Sequence, residues 1–201
     1  MTSPSGRFVV IEGSDATGKS TLGARLDTEH FTTSVECPPG PLANIKGEVF
    51  NSLDPFARLL YFASGNAHLS ALAGGVGAGR NLVGVRYIWS TLAYHGAIER
   101  TDVAAPLTIL KSVIPYLTMP EYVIFLTVQR NEQHKRLVER GELGKEIPPE
   151  VAEFEDRLSA CFREAFALLP ARVVTMDTTH TTVDELAVAV LPFLDTGTSA
   201  P

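Results

Sequence analysis

Arg7-Phe8-Val9-Val10-Ile11-Glu12-Gly13-Ser14-Asp15-Ala16-Thr17-Gly18-Lys19-Ser20-Thr21 (RFVVIEGSDATGKST) is the stretch on which the reading of this chain turns. Arg7 to Ile11 is a short β-branched and aromatic run, which predicts a buried strand. Gly13 to Ser20 fits G-x-x-x-x-G-K-[S/T] at every fixed position, and a helical pattern follows to about His30. Strand, glycine loop and helix in that order form the context in which this motif cradles phosphate. The glycines let the backbone curl so that its N–H groups point inward. The helix starting near Lys19 adds its positive end. Lys19 is expected to reach the β- and γ-phosphates, and Ser20 to hold a magnesium ion. Gly13, Ser14, Asp15, Ala16, Thr17, Gly18, Lys19, Ser20 and Thr21 are therefore the candidate ATP site, with ATP and Mg2+ as the expected cofactors.

Outward from this loop, strands and helices alternate. Thr32–Glu36, Asn81–Val85, Tyr122–Val128 and Arg172–Met176 read as further strands. Helices are expected over 44–53, 54–73, 88–100, 106–117, 131–140, 149–168 and 183–194. Asp54-Pro55 is a cap followed by a first-turn proline. Three prolines and a glycine between Cys37 and Pro41 make a loop. Gly74–Gly79 (GGVGAG) precedes a strand rather than following one, and so reads as a plain turn. The alternation predicts an α/β fold of the P-loop NTPase kind, a mainly parallel sheet with helices on both faces. Residues 1–195 are expected to form one domain, with a disordered tail at 196–201.

The chain has 201 residues, with 17 basic and 23 acidic side chains and a formal net charge of −6. That balance speaks against a protein whose main task is gripping nucleic-acid backbone, although a local pocket can oppose the global sign. Cys37 and Cys161 have no C-x-x-C spacing and are too few for a disulfide framework, which suits a reducing compartment. Neither a signal peptide nor a membrane span is expected. The chain reads as soluble and cytoplasmic, with no membrane or nucleic-acid partner.

Further segments carry a family resemblance. Phe8–Thr21 (FVVIEGSDATGKST) resembles the opening of thymidylate kinases, F-I-x-x-E-G-x-D-G-x-G-K-S/T-T. Leu59–Ala67 (LLYFASGNA) resembles L-L-F-A-A-D-R-A. Val85-Arg86-Tyr87 followed by Ser90–Gly96 (STLAYHG) resembles D-R-Y-x-x-S-T-x-A-Y-Q-G. Pro120–Val128 (PEYVIFLTV) resembles P-D-L-T-I-F-L-D-V, and Arg140–Glu146 (RGELGKE) resembles an R-G-E-L-D-R-x-E lid. The resemblance implies a five-stranded parallel sheet, usually a homodimer, and transfer of the γ-phosphoryl of ATP to the 5′-phosphate of dTMP. It implies catalytic roles for Lys19, Arg86, Asp15, Lys145 and Arg140, the last two on a lid at about 140–149. It places Phe62, Asn66, Arg86, Ser90, Thr91, Tyr94 and His95 at a nucleotide-like small-molecule acceptor, and Met176–Thr179 beside the adenine. Arg86, directly after a buried strand, stands where α/β folds bind ligands.

Departures from the family pattern gather on the acceptor side. Gly65-Asn66 replaces Asp-Arg, Val85 replaces the Asp before Arg-Tyr, Glu36-Cys37-Pro38-Pro39-Gly40 replaces R-E-P-G-G, and Lys145 replaces the lid arginine. Each lost charge-assisted contact is worth about 1.5–3 kcal/mol. Three readings are therefore carried: a dTMP kinase, a kinase for another acceptor (a modified nucleotide, a nucleoside or a small alcohol), and a non-catalytic nucleotide-binding module. A dTMP kinase needs a replacement cation, for which Arg58, Arg80 and Lys46 are the candidates.

Overall fold

A computed structural model describes residues 6–27, 32–75, 80–144 and 147–195. Lys145, the tip of the expected Gly74–Gly79 turn and the tail at 196–201 lie outside these residues. Five strands, β1 (Phe8–Glu12), β2 (Thr32–Glu36), β3 (Asn81–Val85), β4 (Tyr122–Thr127) and β5 (Val173–Asp177), form one sheet. Their order is β2-β3-β1-β4-β5, with every pairing parallel.

The helices are α1 (Lys19–Leu26), α2 (Lys46–Ser52), α3 (Pro55–Gly74), α4 (Ile88–Glu99), α5 (Ala104–Leu110), α6 (Arg130–Glu139), α7 (Pro149–Leu168) and α8 (Val183–Leu194). Buried side chains form a core on each side of the sheet. Val9, Ile11, Val83 and Ile124 pack with Leu22 and Leu26 of α1 and Leu186 and Val190 of α8. Phe8, Val10, Leu82 and Val123 pack with residues of α3, α4, α5 and α7. Alternate residues of β1 thus feed opposite cores, which is why its sequence is apolar without a break.

Three helix expectations shift. The helix expected to run to about His30 ends at Leu26, with Asp27 already extended. The helix expected over 44–53 starts at Lys46, after a 3-10 helix at Gly40–Ile45. The one expected over 106–117 starts earlier and stops at Leu110, followed by a 3-10 turn at Ile114–Tyr116. Pro106 is tolerated in a first turn, where its missing N–H is not needed, whereas Pro115 inside a continuing helix would clash with the preceding turn.

Trp89 is fully buried and donates its indole N–H to the Leu169 carbonyl at 2.8 Å, tying α4 to the end of α7. Because β1 and β3 are neighbours, the loops that follow them open side by side at the carboxyl edge of the sheet.

Candidate active site

Between β1 and α1 the backbone takes positive φ at Gly13 (145°), Ala16 (58°) and Gly18 (90°). A Cβ on Gly13 would lie 2.5 Å from the Leu126 carbonyl oxygen, so only glycine fits there. Ala16 does carry a Cβ, where the family pattern has glycine. Its left-handed backbone costs about 1–2 kcal/mol, and Ala16→Gly is expected to stabilise the fold by about 1 kcal/mol. A melting curve that is unchanged or lowered would contradict this.

Lys19 is 5% exposed. Its ammonium donates to the Ser14 carbonyl and, at 3.3 Å, to the Thr17 hydroxyl. Burial, joined by the Arg86 charge and opposed by Asp15 and Glu12, lowers its pKa to about 7. Phosphate recognition needs the charged form, so ATP binding should draw a proton onto Lys19 at pH 8 and none well below pH 7. Above pH 7 the affinity then falls by up to about tenfold per unit. Calorimetry at pH 8 in two buffers of different protonation enthalpy checks this, and equal heats in both would refute it.

Two residues that the sequence did not single out hold the loop from α6. The buried Gln133 side-chain amide donates to the Asp15 carbonyl at 3.0 Å. Arg136 donates to the Ala16 carbonyl at 3.2 Å, the Thr178 hydroxyl at 3.1 Å and the Thr178 carbonyl at 2.6 Å. It thereby links the phosphate loop to the segment after β5. Arg140, one turn later, is half exposed and 3.9 Å from Glu142; the structure places Arg136, not Arg140, against the loop.

Glu12, at the end of β1, is fully buried. It accepts from the Tyr87 N–H at 2.9 Å, the Ser90 N–H at 3.1 Å and the Ser90 hydroxyl. Burial raises its pKa, against the lowering pull of these donors and of Arg86. The carboxylate fixes the start of α4, and with it Arg86, whose own φ is 68°. A strained backbone at a non-glycine residue is held only by the surrounding structure and is found where a side chain must be aimed. The Arg86 guanidinium pairs with Asp15 of the phosphate loop and stacks 4.8 Å from the centroid of the Tyr94 ring. Burial alone would raise the Asp15 pKa, but the Arg86 and Lys19 charges outweigh it and hold the carboxyl below its usual range. The Tyr94 hydroxyl is buried beside this pair.

From this pair a cavity of about 270 Å³ runs between α3 and α4. Asp15, Phe62, Arg86, Ser90, Thr91, Tyr94 and His95, all singled out from sequence, line it. Cys37, Lys46, Phe50, Arg58, Leu59, Tyr87 and Ile98 complete the wall. Asn66 does not belong to it. Asn66 is fully buried, donates to the Thr91 hydroxyl at 2.8 Å and accepts from the Cys37 thiol at 3.3 Å. Arg80 lies elsewhere, donating to Thr33 at the sheet edge.

The site thus joins a phosphate-type loop to a cavity through one ion pair. The family profile of thymidylate kinases matches residues 11–188. The chain belongs to the thymidylate kinase family. A thymidylate kinase from Alcanivorax borkumensis is 30% identical over 186 residues, covering 86% of this chain and 88% of its own. A probable thymidylate kinase from Methanosarcina barkeri is 27% identical over 183 residues, covering 86% and 88%. Among solved structures, the thymidylate kinase of Candida albicans superposes with a TM-score of 0.72 at 22% identity, covering 96% of this chain and 92% of its own. That of Ehrlichia chaffeensis superposes at 0.67 and 18%, covering 96% and 100%. Thymidylate kinases are nucleoside monophosphate kinases, and membership makes the chain an ATP-dependent phosphotransferase.

Proposed function

We propose that the chain transfers the γ-phosphoryl of ATP to the 5′-phosphate of dTMP. The observation that carries this reading is the Arg86–Asp15 pair, which sets an arginine at the junction of the phosphate loop and the 270 Å³ cavity. The triphosphate would lie on Gly13–Thr21, with Lys19 at its β- and γ-phosphates. Ser20 is exposed at the loop's end and suits a magnesium ion shared with those phosphates. No cluster of three or more His, Cys, Asp or Glu side chains among the described residues offers an alternative cage. When bound, the ion would neutralise phosphate charge.

The acceptor would enter the cavity with its phosphate at Arg86, Ser90 and Tyr94 and its base against Phe62, which meets Phe50 edge-on at 5.4 Å. Phosphoryl transfer needs alignment and positive charge around the moving group more than a strong base. Arg86 and Lys19 would supply that charge. Lys46 supports a phosphate-bearing acceptor, since it lines the same cavity as Arg86. Closure of a lid at about 140–149, carrying Lys145, would exclude water. A homodimer in the cytoplasm is the setting we infer; no helix among the described residues is long and apolar enough to cross a membrane.

An ADP-release assay with dTMP, dUMP, dCMP, thymidine and simple alcohols tests the reading. Turnover of dTMP well above thymidine is expected. Turnover of thymidine without dTMP would replace the reading with a kinase for an unphosphorylated acceptor. Tight ATP binding with no acceptor turned over would make the chain a binding module.

A further inference from the structure

Two consecutive carbonyls of the phosphate loop face α6. The Asp15 carbonyl accepts from the Gln133 amide at 3.0 Å, and the Ala16 carbonyl accepts from Arg136 at 3.2 Å. The carbonyl before them, that of Ser14, is taken instead by the Lys19 ammonium. A peptide unit is planar and trans, so its N–H points opposite to its C=O. Fixing the Asp15 and Ala16 carbonyls therefore turns the amides of Ala16 and Thr17 away from α6. The same two peptide planes meet at the Ala16 Cα, so their hold sets its φ of 58°. Such a backbone persists at a residue with a side chain only where the surroundings over-determine it.

Gln133 is itself braced. It is 6% exposed, and its amide meets the Asp15 carbonyl, the Ser14 hydroxyl at 3.3 Å and the Glu155 carboxylate of α7. Only the NH2 end of an amide suits such a ring of acceptors; the reversed amide would set oxygen against oxygen. Glu155 lines a cavity of about 340 Å³ together with Ser14 and Gln133. Burial raises its pKa, the Gln133 and Ser14 donors lower it, and the Asp15 charge raises it. Its own charge is felt at Lys19 and at Tyr94, so it stands where the loop meets the acceptor cavity. Gln133 and Glu155 both lie outside the segments that carry the family resemblance.

We propose that Gln133, oriented by Glu155, is a positioning residue that aims the Ala16 amide into the phosphate cradle. It acts through the Asp15 carbonyl, as Arg136 acts for the Thr17 amide through that of Ala16. An N–H held in place before the phosphate arrives needs no reorganisation when it binds. Released from Gln133, the Asp15–Ala16 peptide is free to rotate, and its carbonyl oxygen would then face the phosphate where the N–H should be. Ala16, which lacks the freedom of glycine, makes that hold the more necessary.

This inference rests on the donor reading, with ATP phosphates on Gly13–Thr21, and not on the acceptor. Binding of ADP and of adenosine is therefore measured by calorimetry, without turnover. Gln133→Met keeps the stem and loses the donor. It should raise the Kd for ADP roughly 10- to 100-fold, the worth of one hydrogen bond to a charged group. The Kd for adenosine, which brings no phosphate to the loop, should stay within a few-fold. Glu155→Ala and Glu155→Gln both remove the charge, but only glutamine returns an oxygen to the Gln133 amide. Glu155→Gln should therefore bind ADP several-fold more tightly than Glu155→Ala. Unchanged ADP affinity in Gln133→Met, whatever its melting point, would show that Gln133 only ties helix to loop, and would overturn the proposal. An equal loss for ADP and adenosine would overturn it too. If Gln133→Met does not fold, the two Glu155 variants carry the test, and equal ADP affinities there sink the idea. If the unaltered protein does not bind ADP, the donor reading fails by itself and takes this inference with it.

Discussion

Lys19→Met is expected to lower kcat for phosphoryl transfer by about a thousandfold, near 4 kcal/mol of transition-state stabilisation. The ammonium sits 5% exposed at the start of α1, where water screens it little. Methionine keeps the stem and its packing but removes the charge that would follow the γ-phosphoryl. The loss should not come through unfolding. A lysine whose pKa is lowered to about 7 on folding is a net cost to the native state at neutral pH, so its removal relieves that cost. A melting temperature that holds or rises, beside a collapsed kcat, is the expected combination. Retained turnover would exclude the phosphate loop as the donor site.

Arg86→Ala should lower kcat by about two to three decades while the KM for ATP stays within a few-fold. The side chain is delivered by a strained φ of 68°, clamped by Asp15 and laid on the Tyr94 ring, so its direction is set before any substrate arrives. Arg86→Lys should recover only about one decade, because an ammonium cannot pair with Asp15 in a fork and stack on Tyr94 at once. The two variants are compared by single-turnover rates at saturating dTMP. Equal rates for arginine and alanine would remove Arg86 from the reaction and leave the Asp15 pair a structural contact.

Sequence legibility followed the range of the interactions. The phosphate loop is a local feature: glycines at fixed spacing between a strand and a helix encode it, and β1 and the start of α1 fall within a residue of where they were expected, while α1 ends at Leu26 rather than near His30. Arg86, Ser90, Thr91 and Tyr94 were legible because they follow directly on β3 and the first turns of α4. Gln133 and Arg136 were not, since their partners Asp15 and Ala16 are well over a hundred positions away and a polar helix face leaves no local sign of them. Asn66 misled for a related reason. Its place on α3 was read correctly, but whether it faces the cavity depends on Thr91 arriving from α4 and Cys37 from the loop after β2. Arg58 stood out only as one of three possible cations, and tertiary packing brought it and Lys46 to the wall and left Arg80 outside.

Glu12 has a mechanical consequence. One carboxylate at the tip of β1 anchors the first turn of α4 through three donors, one residue before the phosphate loop begins. The donor cradle and the Arg86 side of the acceptor cavity are thereby tied to each other through one side chain. A closing movement would have to come from parts that Glu12 does not hold. A substitution that loosens Glu12 would detune both halves at once, and it would be felt as lost alignment rather than as weakened affinity for either nucleotide.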